Sequence, residues 1–279
     1  MPIPVTRRKL TLEIAAKTDP GRLRTVNEDS IVTDGDLGLL VLSDGMGGYQ
    51  SGDVASRITT QVIAEGLKAS LQDPANRQRD VTAIVEDVVK RANRAIFKEG
   101  QRRAETIHGS QEQRMGSTLA LLLLRDNRIT LAHVGDSRIY RLRDHRLELM
   151  THDHSLLQAQ IDQGVLTAEA AATSHNRHLV TRALGLQADV DVTLDACEAK
   201  AGDLYLLCSD GLNDMVDNDD IELVLDALQA NLPLAASQLV MIANDNGGDD
   251  NISVILAKVG TGSRPGARKP SLLGWLFGR

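Results

Sequence analysis

Four short acidic motifs lie far apart in this chain and share one chemistry. Asn27-Glu28-Asp29 stands near the start, followed by Ser43-Asp44-Gly45-Met46-Gly47-Gly48; Ser209-Asp210-Gly211-Leu212 comes late and Gly248-Asp249-Asp250-Asn251 near the end. Each places a carboxylate at the edge of a predicted strand, beside Gly or Asn. Carboxylates gathered at one place repel unless cations hold them, and an all-oxygen donor set suits hard cations such as Mg2+ or Mn2+. Asp29, Asp44, Asp210 and Asp250 carry four negative charges, which two divalent cations neutralise. Two such ions about 3.5–4 Å apart share a water, lower its pKa toward neutrality and present a bridging hydroxide in line with phosphorus. Gly45, directly after Asp44, lets the backbone approach an ion and offer its carbonyl. Taken singly, each Asp-Gly reads as a turn; recurrence at strand ends points to a shared metal site and to metal-assisted chemistry on phosphate.

The elements that must position these acids are legible from periodicity. Strands are predicted over residues 9–17, 30–34 and 37–43, then helices over 52–71 and 79–105, where Val54, Ile58, Val62 and Leu67, and later Val81, Ile84, Val88, Ala92 and Ile96, recur near the helical period. Four β-rich runs follow at 115–125, 128–134, 137–143 and 146–150, the first two joined by the hairpin turn Arg125-Asp126-Asn127-Arg128. Residues 119–124 are apolar on both faces, as expected of a strand buried between layers. Residues 152–186 are polar and rich in His, Gln and Ala and read as a surface flap. Strands resume at 189–196 and 203–209, helices at 219–229 and 233–244, and a last strand at 251–258. This order does not alternate as βαβ; it implies an α+β fold with two mainly antiparallel sheets covered by helices.

Bulk properties bound the function. The chain has 279 residues, 42% of them hydrophobic, and a formal net charge of -7, so an acidic body without a basic stripe argues against a nucleic-acid partner. Cys197 and Cys208 lie in or near apolar runs and read as reduced core residues, in keeping with a reducing compartment. The N-terminus lacks the apolar core of a signal peptide and no apolar run is long enough to span a bilayer, so a cytoplasmic protein is expected.

The ordered motifs carry a resemblance. Arg24-Thr-Val-Asn-Glu-Asp29, Asp44-Gly-Met-Gly-Gly48, Gly116-Ser-Thr118, Val134-Gly-Asp-Ser-Arg138, Ser209-Asp-Gly-Leu212 and Gly248-Asp-Asp-Asn-Ile-Ser253 are similar, in order, to the motifs of the metal-dependent type 2C Ser/Thr protein phosphatases, compact bacterial branch, over residues 9–258. The resemblance implies a four-layer αββα sandwich over residues 1–259 with two Mg2+ or Mn2+ ions in a cleft at one end. It implies hydrolysis of phosphoserine and phosphothreonine on proteins by a metal-bridging hydroxide, opposing a bacterial Ser/Thr kinase. By position, Asp44 resembles the carboxylate bridging both metals, the Gly45 carbonyl a ligand of one, and Asp210 and Asp250 ligands of the other. Asp29 and Glu28 match acids that hold a metal or its waters, with Glu28 in the outer role, while Asp249 is a supporting or surface acid. Asp136 matches the ligand of a third, weaker metal, shared with Asp210; its alternative is a buried turn acid bonded to backbone amides. Arg24 matches the phosphate clamp, for which a guanidinium fork is suited, the alternative being a surface salt bridge. Met46 stands where many eukaryotic members carry a His taken to protonate the leaving alkoxide, and Met cannot donate. His152 and His154 are flap candidates for that task, but two His in a polar loop are expected to be exposed; the general acid is unassigned. Gly116-Ser117-Thr118 is expected to bond within the core, and Arg182 to dock phosphopeptide or anchor the flap.

Two rivals stand beside this reading: a phosphoprotein sensor without turnover, opposed by the intact acid set, and a two-metal nuclease, opposed by the acidic body. Residues 260–279 form a separate region, a Gly/Pro/Ser linker ending in Leu-Leu-Gly-Trp-Leu-Phe-Gly-Arg. Arg264, Arg268, Lys269 and Arg279 give it +4, leaving the body at -11. A basic linker with a Trp275 and Phe277 tip suits docking to an anionic membrane surface, at the inner-membrane periphery, or to a partner groove; the alternative is a disordered end. The enzyme is expected to be a monomer.

Overall fold

The computed structural model describes residues 9–47, 51–106, 115–167, 170 and 179–261. The tail from residue 262, Gly48 and flap residues 168–169 and 171–178 lie outside them. In chain order the elements are β1 (Leu10–Asp19), β2 (Ser30–Asp34), β3 (Leu39–Ser43), β4 (Gly45–Gly47), α1 (Gly52–Gln72), α2 (Val81–Thr106), β5 (Met115–Ser117), β6 (Leu119–Arg125), β7 (Arg128–Val134), β8 (Arg138–Arg143) and β9 (Arg146–Leu149). They continue with α3 (Leu156–Asp162), β10 (Thr193–Glu198), β11 (Leu204–Cys208), α4 (Asp210–Asn213), α5 (Asn218–Leu228), α6 (Leu232–Asp245) and β12 (Ile252–Thr261).

Two five-stranded sheets form, in the orders β1-β12-β11-β8-β9 and β10-β7-β6-β3-β2, with every described pair antiparallel. Alternation along the strands sorts side chains into layers, because successive residues of a strand point to opposite faces. Leu39, Val41, Leu119, Leu121 and Leu123 pack against Ala55, Ile63, Leu67, Val85 and Val88 of α1 and α2. Their neighbours Leu40, Leu42, Ala120 and Leu122 face the other way, meeting Ile139, Tyr205, Leu207, Ile255 and Ala257 across the sandwich. Leu204, Leu206, Cys208, Val254 and Leu256 turn outward to α4, α5 and α6. Three apolar seams thus separate four layers, the αββα architecture expected. The all-apolar run of β6 is explained by its place between a helical layer and a second sheet.

The hairpins carry the turn chemistry expected of them: Asp126 and Asn127 join β6 to β7, and Asp144 and His145 join β8 to β9, all four with positive φ. Elsewhere local bonds reshape the expected elements. The run 115–125 breaks at Thr118, whose amide and hydroxyl both serve the Asp44 backbone. Met115–Ser117 consequently pairs with the short β4, forming a third, two-stranded sheet that periodicity does not reveal. The strand expected from residue 189 begins only at Thr193, because Asn93 draws the Gln187 and Ala188 carbonyls to α2 with its side-chain amide (3.1 and 3.2 Å).

Candidate metal centre

Register brings the acidic motifs to one end of the sandwich. Ser30 at the start of β2 pairs with Ser43 at the end of β3, and Cys208 at the end of β11 pairs with Val254 near the start of β12. Asp29, Asp44, Asp210 and Asp250 flank those strand ends, and the turn from β7 to β8 adds Asp136. Asp44 is the hub. Its carboxyl lies well above the ordinary carboxylate range, first through burial and then through Asp29, Asp210, Asp136 and Asp250. Burial likewise pushes Asp29 up to about 7, against the Ser253 and Ser209 hydroxyls that hold it down and with Asp210 and Asp250 adding to the rise. Asp136, 7% exposed, is raised well above its usual value by burial, then by Asp210 and Asp153. Five acids of one sign therefore share a partly desolvated cleft.

A network of polar groups fixes them. Ser209 donates its hydroxyl to Asp29 Oδ2 (2.8 Å), and the Asp29 amide donates to Asn27 Oδ1 (3.0 Å). Asn251 ties three segments together: its Oδ1 accepts the Glu28 amide (2.8 Å), and its Nδ2 donates to the Pro20 and Val26 carbonyls (2.9 and 3.0 Å). Thr118 clamps Asp44, donating its amide to the Asp44 carbonyl (2.8 Å) and accepting the Asp44 amide at Oγ1 (2.9 Å). Gly45 passes so close to Gly52 that a Cβ on it would stand 2.0 Å from the Gly52 carbonyl oxygen. Only glycine permits that approach, which brings Gly45 beside the first turn of α1 and the Glu28 backbone. Glu28 is raised by burial, opposed by the Asp53 and Gly52 amides at that helix start.

The donor set fits a hard divalent cation. It is oxygen only, it carries more negative charge than the protein neutralises locally, and the buried Asp29 Oδ1 has no hydrogen-bond partner among the described residues. Among the described residues no three His, Cys, Asp or Glu side chains already converge to hold one ion. Arg24 stands at the rim with its guanidinium 2.8 Å from Asp250 Oδ2, its side chain 54% exposed. The expected clamp and an expected ligand therefore meet each other here.

Sequence reasoning missed Asn251 as the organiser and Thr118 as the direct clamp of Asp44, although it expected the Gly116-Ser117-Thr118 hydroxyls to bond internally. Those bonds are present: Ser117 with Thr59 and Thr118 with Ser137, both at 2.6 Å. The expectation of exposed flap histidines holds for His152, whose side chain is 63% exposed beside Asp162. It fails for His154, which is half-buried and stacked on His133 at 4.6 Å between ring centroids. The sequence signal for that difference was weak, because His133 lies in a strand 21 positions earlier. Cys208 is buried and Cys197 half-buried, both free.

The family model described as Protein phosphatase 2C matches residues 23–240. The chain belongs to this family. It is 38% identical over 256 residues to "Serine/threonine protein phosphatase PstP" of Mycobacterium tuberculosis, covering 91% of this chain but 46% of that protein. The chain thus spans about half the length of that relative. It is 32% identical over 253 residues to "Protein phosphatase PhpP" of Streptococcus pneumoniae, covering 89% of this chain and 98% of that one. Among solved structures it resembles the catalytic domain of PstP in complex with two manganese ions, with a TM-score of 0.76 and 36% identity over 90% of this chain and all of that one. Two antiparallel sheets flanked by helices are the architecture shared with these family structures.

Proposed function

We propose that the chain is a protein-serine/threonine phosphatase that hydrolyses phosphoserine and phosphothreonine monoesters on proteins, using two Mn2+ or Mg2+ ions. The observation that carries this reading is Asp44, whose carboxyl feels four other acids at one strand-end cleft. Manganese in the similar PstP catalytic domain supports it. When bound, the cations supply charge neutralisation and activation of water for attack on phosphorus. Asp44 would bridge them; Gly45 would offer its carbonyl, Asp210 and Asp250 their carboxylates. Asp29 would hold a cation or its waters, and Glu28 would orient water from the start of α1. Asp136 with Asp210 would take a third, weaker cation. Arg24, held at the rim by Asp250, would bind phosphate oxygens with its fork.

Residues 1–259 form the catalytic domain in this reading, and the basic tail docks to an anionic membrane surface or a partner. The protein acts as a cytoplasmic monomer against a Ser/Thr kinase. No helix among the described residues is long and apolar enough to cross a membrane. Tail docking is tested by liposome co-sedimentation with and without residues 262–279; equal sedimentation overturns the membrane form. The enzyme reading is tested with a phosphothreonine peptide in Mn2+, in EDTA and with Asp44→Ala. Phosphate release lost in both controls is expected, whereas no release with any divalent cation would favour a sensor of phosphoproteins.

A further inference from the structure

The base of the flap is fastened to the cleft through one side chain. His154 donates its amide to the Gly135 carbonyl (2.8 Å), and the Gly135 amide donates back to His154 Nδ1 (3.1 Å). Backbone and imidazole thus grip one residue twice. Gly135 opens the turn Gly135-Asp136-Ser137, at φ +103, and a Cβ there would stand 2.7 Å from Thr118 Cγ2. On the other side of the turn, Ser137 Oγ bonds Thr118 Oγ1 (2.6 Å), the same hydroxyl that accepts the Asp44 amide (2.9 Å). The turn is therefore clamped between His154 and the Thr118 side chain that also fixes Asp44, and it carries Asp136 toward Asp210.

The Gly135 amide can only donate and Arg182 has other acceptors, so the contacts select the tautomer with Nδ1 unprotonated. With Nδ1 accepting from Gly135, the proton sits on Nε2 and donates to Thr193 Oγ1 (3.1 Å) on β10. Arg182, 3.2 Å from Nε2, then faces a donor and keeps the Asp191 carbonyl and Thr193 Oγ1 as acceptors (3.4 and 3.5 Å). Burial, then Arg182, holds His154 down at about 4, against Asp153, which favours the charged form. The His133 ring, 2% exposed and without a hydrogen-bond partner for either nitrogen among the described residues, backs the His154 ring at a tilt of 35°. The next residues continue the grip on the flap: Thr181 donates its amide to the His154 carbonyl (2.7 Å), and Leu156 donates its amide to the Leu179 carbonyl (2.8 Å).

We infer that His154 is a positioning residue for the phosphatase reaction, its Nδ1 fixing the Gly135 amide so that the turn holds Asp136 against Asp210 and joins the flap base to the cleft. It is not the acid that protonates the leaving alkoxide, since both ring nitrogens serve the protein itself. This rests on the phosphatase reading for its kinetic consequence, but its structural consequence is independent of activity.

Asparagine places its Oδ1 close to where Nδ1 sits, whereas glutamine mimics the Nε2 end and alanine offers nothing. The test compares His154→Asn, His154→Gln and His154→Ala. In metal-free protein, hydrogen exchange at the Gly135 amide, followed by NMR, is expected to accelerate about tenfold in the Ala and Gln variants and to return to near the wild-type rate in the Asn variant. With Mn2+ and a phosphothreonine peptide, kcat is expected to fall about fivefold to tenfold in Ala and Gln with little change in KM, and to recover in Asn. Unchanged Gly135 exchange in His154→Ala overturns the inference whether or not the chain proves to be a phosphatase. A Gly135 amide restored in His154→Asn while kcat stays as low as in His154→Ala also overturns it, because that pattern belongs to a proton donor. Should the Ala variant not fold, the Asn and Gln pair makes the same discrimination.

Discussion

The two ends of the sandwich bury carboxylates in opposite ways. At the end away from the cleft, Asp203 is 2% exposed and takes a bidentate guanidinium from Arg143 (2.6 and 2.7 Å) together with the Lys200 amide (2.8 Å). Its charge is answered within the fold. At the cleft end Asp29, Asp44 and Asp136 each feel other acids, and the guanidinium of Arg24 at the rim is spent on Asp250. A structural acid is completed by its own chain. The cleft acids are arranged so that something from outside must complete them, which is why their carboxyls rise while the fold stays intact.

The largest effect expected from breaking this contrast is at the hub. Asp44→Asn removes a charge and, in the proposed reading, the bridging ligand while keeping the shape. Phosphopeptide turnover should fall by about a thousandfold or more, read as kcat/KM in saturating Mn2+. The metal-free variant should nonetheless melt at or above the wild-type temperature, because one repelling carboxylate is gone. Melting well below wild type would show that Asp44 holds the fold together as Asp203 does. At the opposite end, Arg143→Met leaves Asp203 buried without its cation and should cost about 3 kcal/mol in urea unfolding. Its kcat should be unchanged. Lost activity in the still-folded variant would show that the two ends are coupled.

The same contrast explains what the sequence made legible. Each cleft acid sits beside one end of a strand in a motif with Gly or Asn, so periodicity and composition marked Asp29, Asp44, Asp210 and Asp250 without any knowledge of topology. Asp203 carries the same local mark, following Gly202 at the start of β11; what sets it apart is its partner Arg143, 60 positions earlier, which no motif reveals. The long helices and buried strands were readable because their faces face one environment each. Elements decided by single distant bonds were not: β4 exists because Thr118 clamps Asp44, and β10 starts late because Asn93 holds two loop carbonyls. His154 belongs to this second kind, its burial set by a strand and a turn remote in the chain.

Completion of the cleft from outside predicts ligand-linked stability. Mn2+ at about 100 times its dissociation constant should stabilise the protein by about 2.7 kcal/mol for one site. Asp44→Asn should lose most of that gain, and Arg143→Met should keep it. Equal stabilisation of the wild type and Asp44→Asn would place the ion elsewhere.

The smallest expected effect concerns His133, buried beside the cleft without carrying charge. Burial, then His154, holds it down at about 3, against an ordinary value of 6.5. Above pH 6.5 the ring is neutral in both folded and unfolded chains and is indifferent to pH. As pH falls below 6.5 the unfolded chain takes a proton that the folded ring refuses until about 3, so stability is lost across that window. One unit below the ordinary value, at pH 5.5, the loss should be about 1 kcal/mol. Asp29, raised to about 7, works in the opposite sense in the metal-free protein, which gains from it as pH falls. The measurement is therefore a difference: urea stability between pH 7 and 5.5 for the wild type against His133→Phe, which keeps an aromatic ring with nothing to titrate. A shallower acid loss in the variant is expected. Parallel curves would mean that His133 takes its proton in the folded state as readily as in the unfolded one, and that the cleft end tolerates buried positive charge after all.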